Sequence, residues 1–127
     1  MPSAMGTFRV PATIAHPRDP ERRLTLDLLV DTGATWTLLP EEVVGELQLE
    51  APWSRAVSLA SGERVTYAAG QVAIRLNDEE LSTPFLVGPP NSLALLGAVT
   101  LEQFGLAPDP VRKTLVSVGG LLASTRW

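Results

Sequence analysis

The sequence predicts an all-β fold carrying one or two short helices. Three observations point there. Short apolar stretches are cut repeatedly by Gly, Pro and Asn/Asp, which is the rhythm of short strands and tight turns. Leu24, Leu26 and Leu28, and again Val72, Ile74 and Leu76, alternate with other residues as one face of a half-buried strand does. Ser61-Gly62 stands between Val57-Ser58-Leu59 and Val65-Thr66-Tyr67, the arrangement of a glycine-tipped hairpin. A chain of 127 residues, 45% of them hydrophobic, suits one domain over residues 1–127 with one core.

In chain order, residues 7–14 read as a first strand. Ala15 to Pro20 reads as a loop, since Pro17 and Pro20 block continuation. Residues 22–30 form the next strand, and the run Leu28-Leu29-Val30 breaks its alternation as a strand entering the interior does. A turn at Asp31 leads to a strand over 36–39. Pro40-Glu41-Glu42 opens a short helix reaching about Leu47, because Pro is tolerated in a first helical turn and acids there suit the helix dipole. The hairpin over 57–67 follows, then a separate strand over 71–76. Asn77-Asp78-Glu79-Glu80 is a polar turn. A strand over 81–87 contains Pro84, which marks an edge or a bulge. After the loop Gly88-Pro89-Pro90-Asn91, residues 93–96 form a fully apolar strand ending at Gly97. Residues 100–104 make a short helix stopped by Gly105. Asp109-Pro110 turns the chain into a closing strand over 114–118.

Composition removes several functions. With no cysteine there is neither a disulfide framework nor a thiolate metal site. His16 is the single histidine, so a multi-histidine metal site within one chain is excluded and a serine or cysteine hydrolase is disfavoured. No cofactor is expected. The net charge of −4 is spread along the chain, and no basic cluster marks a nucleic-acid surface. The longest apolar stretch, 92–101, is too short to span a bilayer. No signal peptide is evident, which leaves the compartment open with the cytoplasm as the expectation.

Asp31-Thr32-Gly33-Ala34 carries the chemistry. It follows Leu28-Leu29-Val30, so an apolar strand delivers one carboxylate into a tight Thr-Gly turn. Gly33 lets backbone approach closely enough for its N–H to reach the carboxylate. The tripeptide alone is also ordinary turn chemistry. Its context is more specific: Leu95-Leu96-Gly97 recurs far downstream, followed by residues 101–106 and Asp109-Pro110, with the glycine-tipped hairpin between the two.

Together these segments resemble the retropepsin-like aspartic proteases, the single-lobe class that includes the retroviral proteases. The resemblance covers residues 7–118. It implies a closed, barrel-like lobe and a flap with its tip at Ala60-Ser61-Gly62-Glu63. It also implies endopeptidase activity on a polypeptide substrate, without metal. The motif occurs once, whereas hydrolysis by paired carboxylates needs two, so the resemblance implies a homodimer with Asp31 from each copy. Thr32 would lock the two loops together and Gly33 would make the close approach. Ala34, Ala60, Ser61, Gly62 and Gly97 would shape the substrate cleft. Retroviral members carry an acid after the alanine and an Arg after the second glycine, which pair; here Thr35 and Ala98 stand there, so both halves are absent together.

Asp27, Asp78 and Asp109 are poor candidates for an intrachain mate, since none precedes Thr/Ser-Gly. Trp36 reads as core with a possible place beside a pocket, and Tyr67 as a cross-strand aromatic. The rival functional readings are a catalytically silent peptide-binding or dimerisation module of the same fold, and a heterodimer in which a paralogue supplies the second acid.

Overall fold

The structure, a computed structural model, describes residues 7–118. It contains nine strands and two short helices: β1 (Arg9–His16), β2 (Asp19–Val30), β3 (Thr37–Pro40), α1 (Glu41–Leu47), β4 (Trp53–Ser58), β5 (Arg64–Leu76), β6 (Glu79–Gly88), β7 (Leu95–Leu96), α2 (Ala98–Phe104), β8 (Leu106–Asp109) and β9 (Thr114–Ser117). The predicted all-β class therefore holds. Residues 1–6 and 119–127, including Trp127, lie outside the described range.

The main sheet runs β1-β2-β7-β3-β6-β5-β4, and β5 also pairs with β1. That last ladder, Thr13–Ala15 against Ala73–Arg75, closes six of the strands into a ring. Closure removes the open edges that a flat sheet would expose. β4 stands outside the ring, paired only with the first half of β5. Two pairings are parallel, β2 with β7 and β3 with β6. Because β7 lies between β2 and β3, it threads directly behind the loop at residues 31–36 that joins them.

The ring is filled by Ile14, Leu28, Val30, Leu39, Val72, Ile74, Phe85 and Leu96, all 0% exposed. Each such side chain contributes about 1.5–3 kcal/mol by leaving water. Leu47 of α1 and Leu101 and Phe104 of α2 close the same core from outside. Among the described residues, no helix is long and apolar enough to cross a membrane.

Four element boundaries depart from the sequence reading, each for a physical reason. The loop expected over 15–20 is a tight turn at Pro17-Arg18. β1 continues to His16, and Pro20 sits inside β2 where the register shifts, so its missing N–H falls in a bulge. The break expected between Tyr67 and Gln71 is absent, and β5 is continuous through Ala68-Ala69-Gly70. A Cβ on Gly70 would overlap the backbone carbonyl of Glu50, so the small residues admit a crossing chain rather than ending a strand. The strand expected over 93–96 shrinks to Leu95–Leu96, the two residues in register with Leu29 and Val30, while Leu93 is exposed. Finally, β6 is not an edge strand. Pro84 pairs with Gln71 on the β5 side, one residue before the ladder to β3 begins at Phe85.

Beyond α2, Gly105 takes φ 65, ends the helix and releases β8, which was not predicted. The Asp109 carboxylate accepts the Val111 and Arg112 N–H groups, tightening the turn into β9. β8 and β9 form their own two-stranded sheet.

Candidate active site

Asp31 is the first residue past β2. Its N–H donates to Leu96 O at 3.1 Å, so β7 holds the base of the loop. The chain then turns at once: Ala34 N–H donates to Asp31 O at 3.0 Å, and Gly33 N–H donates to the Asp31 carboxylate Oδ1 at 3.0 Å. A Cβ on Gly33 would lie 3.2 Å from that oxygen, so glycine is what lets the amide close on the carboxylate. Asp31 is half-buried, whereas Thr32 and Gly33 are exposed. Among the described residues Asp31 makes no ion pair, and its second carboxylate oxygen has no partner within the chain. The group is therefore held from one side and presented outward on the other.

The loop is stitched to α2. Ala98 N–H donates to Ala34 O at 2.8 Å and Val99 N–H to Thr35 O at 3.0 Å. A helix start leaves its first N–H groups without internal partners, and here the 31–36 loop supplies the acceptors. Thr35 and Ala98 each take part in this stitching, Thr35 through Val99 and Ala98 through Ala34. Gly97 is buried, and a Cβ there would lie 2.5 Å from Trp36 O and 2.8 Å from Thr37 N.

A cleft of about 460 Å³ opens beside the loop. Gly33, Ala34, Thr35, Trp36 and Leu38 form one wall; Ala56 to Ala60 of the hairpin form another, with Tyr67, Leu86 and Leu95 between them. No lining side chain is charged. Of the residues nominated for substrate contact, Ala34 and Ala60 line this cleft. Ser61 and Gly62 sit exposed at the hairpin tip, where Gly62 takes φ 92. Gly97 is not among the lining residues of this cleft, and a Cβ built on it meets the Trp36–Thr37 backbone, so its missing side chain admits the close packing of these two segments. Trp36, Leu38 and Tyr67 do line it, and Val57, Leu59, Leu86 and Leu95 were not foreseen. Only the closure of β4–β5 over the 31–36 loop brings those apolar residues together.

The family model for aspartyl proteases matches residues 10–106. No curated protein sequence matches the chain. Among solved structures, the EIAV protease complexed with the inhibitor HBY-793 is similar in fold. It has a TM-score of 0.60 and 21% identity, over 77% of this chain and 88% of that one. The family match spans the Asp31 loop, the hairpin and the Gly97 segment, and the lobe agrees with a retroviral protease: the chain belongs to the aspartyl protease family and has its single-lobe, retropepsin-like fold.

Proposed function

We propose that the chain is an aspartic endopeptidase that acts as a homodimer, with residues 7–118 forming the protease domain. The observation that carries this is the setting of Asp31. One oxygen is fixed by Gly33 N–H, the other has no partner among the described residues, and the residues beside it are exposed. A carboxylate so placed is suited to meet a second copy of itself.

Two carboxylates at hydrogen-bond distance cannot both ionise cheaply, so they share one proton. The charged member takes a proton from water as the water attacks the peptide carbonyl. The protonated member donates to the carbonyl oxygen, and the roles reverse as the amine leaves. The pair titrates as a unit. Thr32, exposed beside Asp31, would bridge to the partner's loop. The polypeptide would lie extended in the cleft, held by strand-like backbone bonds, with the β4–β5 hairpin closing over it. The uncharged cleft wall favours apolar side chains next to the scissile bond.

The test is cleavage of a denatured protein at mildly acid pH by the purified chain and by Asp31→Asn. The substitution is expected to lower the rate at least about 100-fold. Excess Asp31→Asn chain mixed with wild type should also suppress activity, because each mixed dimer holds one carboxylate where two are needed. Equal cutting by wild type and variant removes the proposal. Undiminished cutting in the mixture removes the shared site and leaves an intrachain or paralogue-supplied partner.

A further inference from the structure

Three buried threonines lie behind the Asp31 loop. Thr37 of β3, Thr83 of β6 and Thr100 of α2 are each 0% exposed. Their hydroxyls form a line: Thr37 Oγ1 is 2.7 Å from Thr100 Oγ1, which is 2.8 Å from Thr83 Oγ1, which is 2.6 Å from Gln103 Oε1.

The direction of every bond follows from its far end. Gln103 Nε2 donates to Ser82 O at 3.2 Å, and a carbonyl can only accept, so the amide nitrogen faces Ser82 and Oε1 faces Thr83. Oε1 also only accepts, so the Thr83 hydroxyl spends its one proton there. Thr83 must then accept from Thr100, and Thr100 from Thr37. The Thr37 oxygen accepts Gly97 N–H at 3.1 Å. That N–H shares a peptide unit with the Leu96 carbonyl, which accepts Asp31 N–H at 3.1 Å. One unbroken, uniformly directed chain thus runs from the Asp31 backbone through the Leu96–Gly97 peptide and three hydroxyls to the Gln103 amide. Bonds aligned in this way polarise and strengthen one another.

We infer that Thr37, Thr83, Thr100 and Gln103 are positioning residues for Asp31. They hold the Leu96–Gly97 peptide in the one orientation that fixes the base of the carboxylate-bearing loop. The inference rests on the reading of Asp31 as the catalytic group. Nothing in the chain touches the cleft: none of the four residues lines it. Its effect reaches substrate through where the carboxylate-bearing loop sits.

Thr100→Val preserves shape and removes the central link, leaving Thr37 without an acceptor and Thr83 without a donor. Misplacement of a reacting group by a change remote from the chemistry costs up to about 100-fold. The expected result for Thr100→Val is therefore a kcat lower by about 10- to 100-fold with KM within about twofold. Thr100→Ser, which keeps the hydroxyl, is expected to restore kcat. Amide hydrogen exchange supplies a readout independent of activity. In Thr100→Val the Gly97 and Asp31 amides should exchange at least about tenfold faster, while Ile14, buried in β1 and paired with β2 and β5 rather than with the elements that carry the hydroxyls, keeps its protection.

Unchanged exchange at Gly97 and Asp31 overturns the inference. So does loss of protection shared equally by Ile14, which marks plain destabilisation, and so does a serine variant no better than valine. Should the wild-type chain cut no peptide at all, the protease reading fails on that ground, and the exchange pattern still decides whether the hydroxyl chain holds the loop.

Discussion

Replacing Gly97 by alanine tests how β7 threads behind the Asp31 loop. Gly97 has φ −92 and ψ 174, a conformation open to any residue, so the substitution carries no backbone penalty. Its whole cost is steric. The new methyl would sit 2.5 Å from Trp36 O and 2.8 Å from Thr37 N, where ordinary contacts begin at 3.4 Å. Both neighbours are main chain and cannot rotate away. The β3 and β7 backbones must part by roughly 1 Å within a close-packed interior. That movement draws Gly97 N–H off Thr37 Oγ1 and Ala98 N–H off Ala34 O. Overpacking costs about 1–3 kcal/mol and each of the two bonds, weakened rather than broken, about 0.5 kcal/mol, so a loss of about 3 kcal/mol is expected. For a chain of this size that lowers Tm by about 12 °C. Gly45→Ala is the matched control. Gly45 lies in α1 with nothing within 4 Å of a built Cβ, so alanine there should add about 0.5–1 kcal/mol through helix propensity. Urea unfolding of the two variants beside wild type measures both. A Gly97→Ala protein within about 0.5 kcal/mol of wild type would refute the close approach of the two strands.

Phe85→Ala, at the fully buried centre of the ring, should cost about 3–5 kcal/mol in the same unfolding assay, while leaving the Asp31 loop bonds intact in any fraction that folds. Gly62→Ala meets no neighbour within 4 Å but imposes φ 92 on an alanine, a strain of about 1–2 kcal/mol confined to the hairpin tip. Peptide cleavage should slow severalfold with Tm lower by about 4–8 °C, and an unaltered rate would mean that the tip takes no part in closure. At the opposite end of the barrel, a hydrogen bond from the exposed Arg18 holds the Glu50 carboxyl below its ordinary value of 4.5. A lowered folded-state pKa contributes stability that is present at neutral pH and lost as pH falls through it. Both groups are solvated, so the effect on stability should be slight. Titration of the Glu50 carboxyl by NMR in Arg18→Ala should show it moving upward.

Much of the fold was legible because local chemistry and tertiary need coincide. Glu41-Glu42 after Pro40 marked α1, Gly105 marked the end of α2, and Ser61-Gly62 marked the hairpin tip. Where the two conflict, the sequence misled. Ala68-Ala69-Gly70 reads as the end of a strand, yet β5 runs through it, since what Gly70 accommodates is the distant Glu50 carbonyl. The apolar run at 93–96 reads as a four-residue strand, but a strand needs residues in register with a neighbour, and in this run Leu95 and Leu96 are the ones registered against β2. β8, with Pro108 and no alternation, gave no local signal, because its partner β9 is what makes it a strand.

The candidate site divides in the same way. Asp31-Thr32-Gly33 is a local device: a strand end, a turn and a missing Cβ suffice to aim an N–H at a carboxylate, and neighbours in sequence specify all three. Gly97 was singled out from its place after Leu95-Leu96, whereas the Trp36 backbone pressed against it is visible only in the fold. The hydroxyl line from Thr37 to Gln103 left no trace in the sequence at all. Its members are scattered across β3, β6 and α2, and threonines are common enough that only closure of the ring, by burying them side by side, turns three separate hydroxyls into one directed chain.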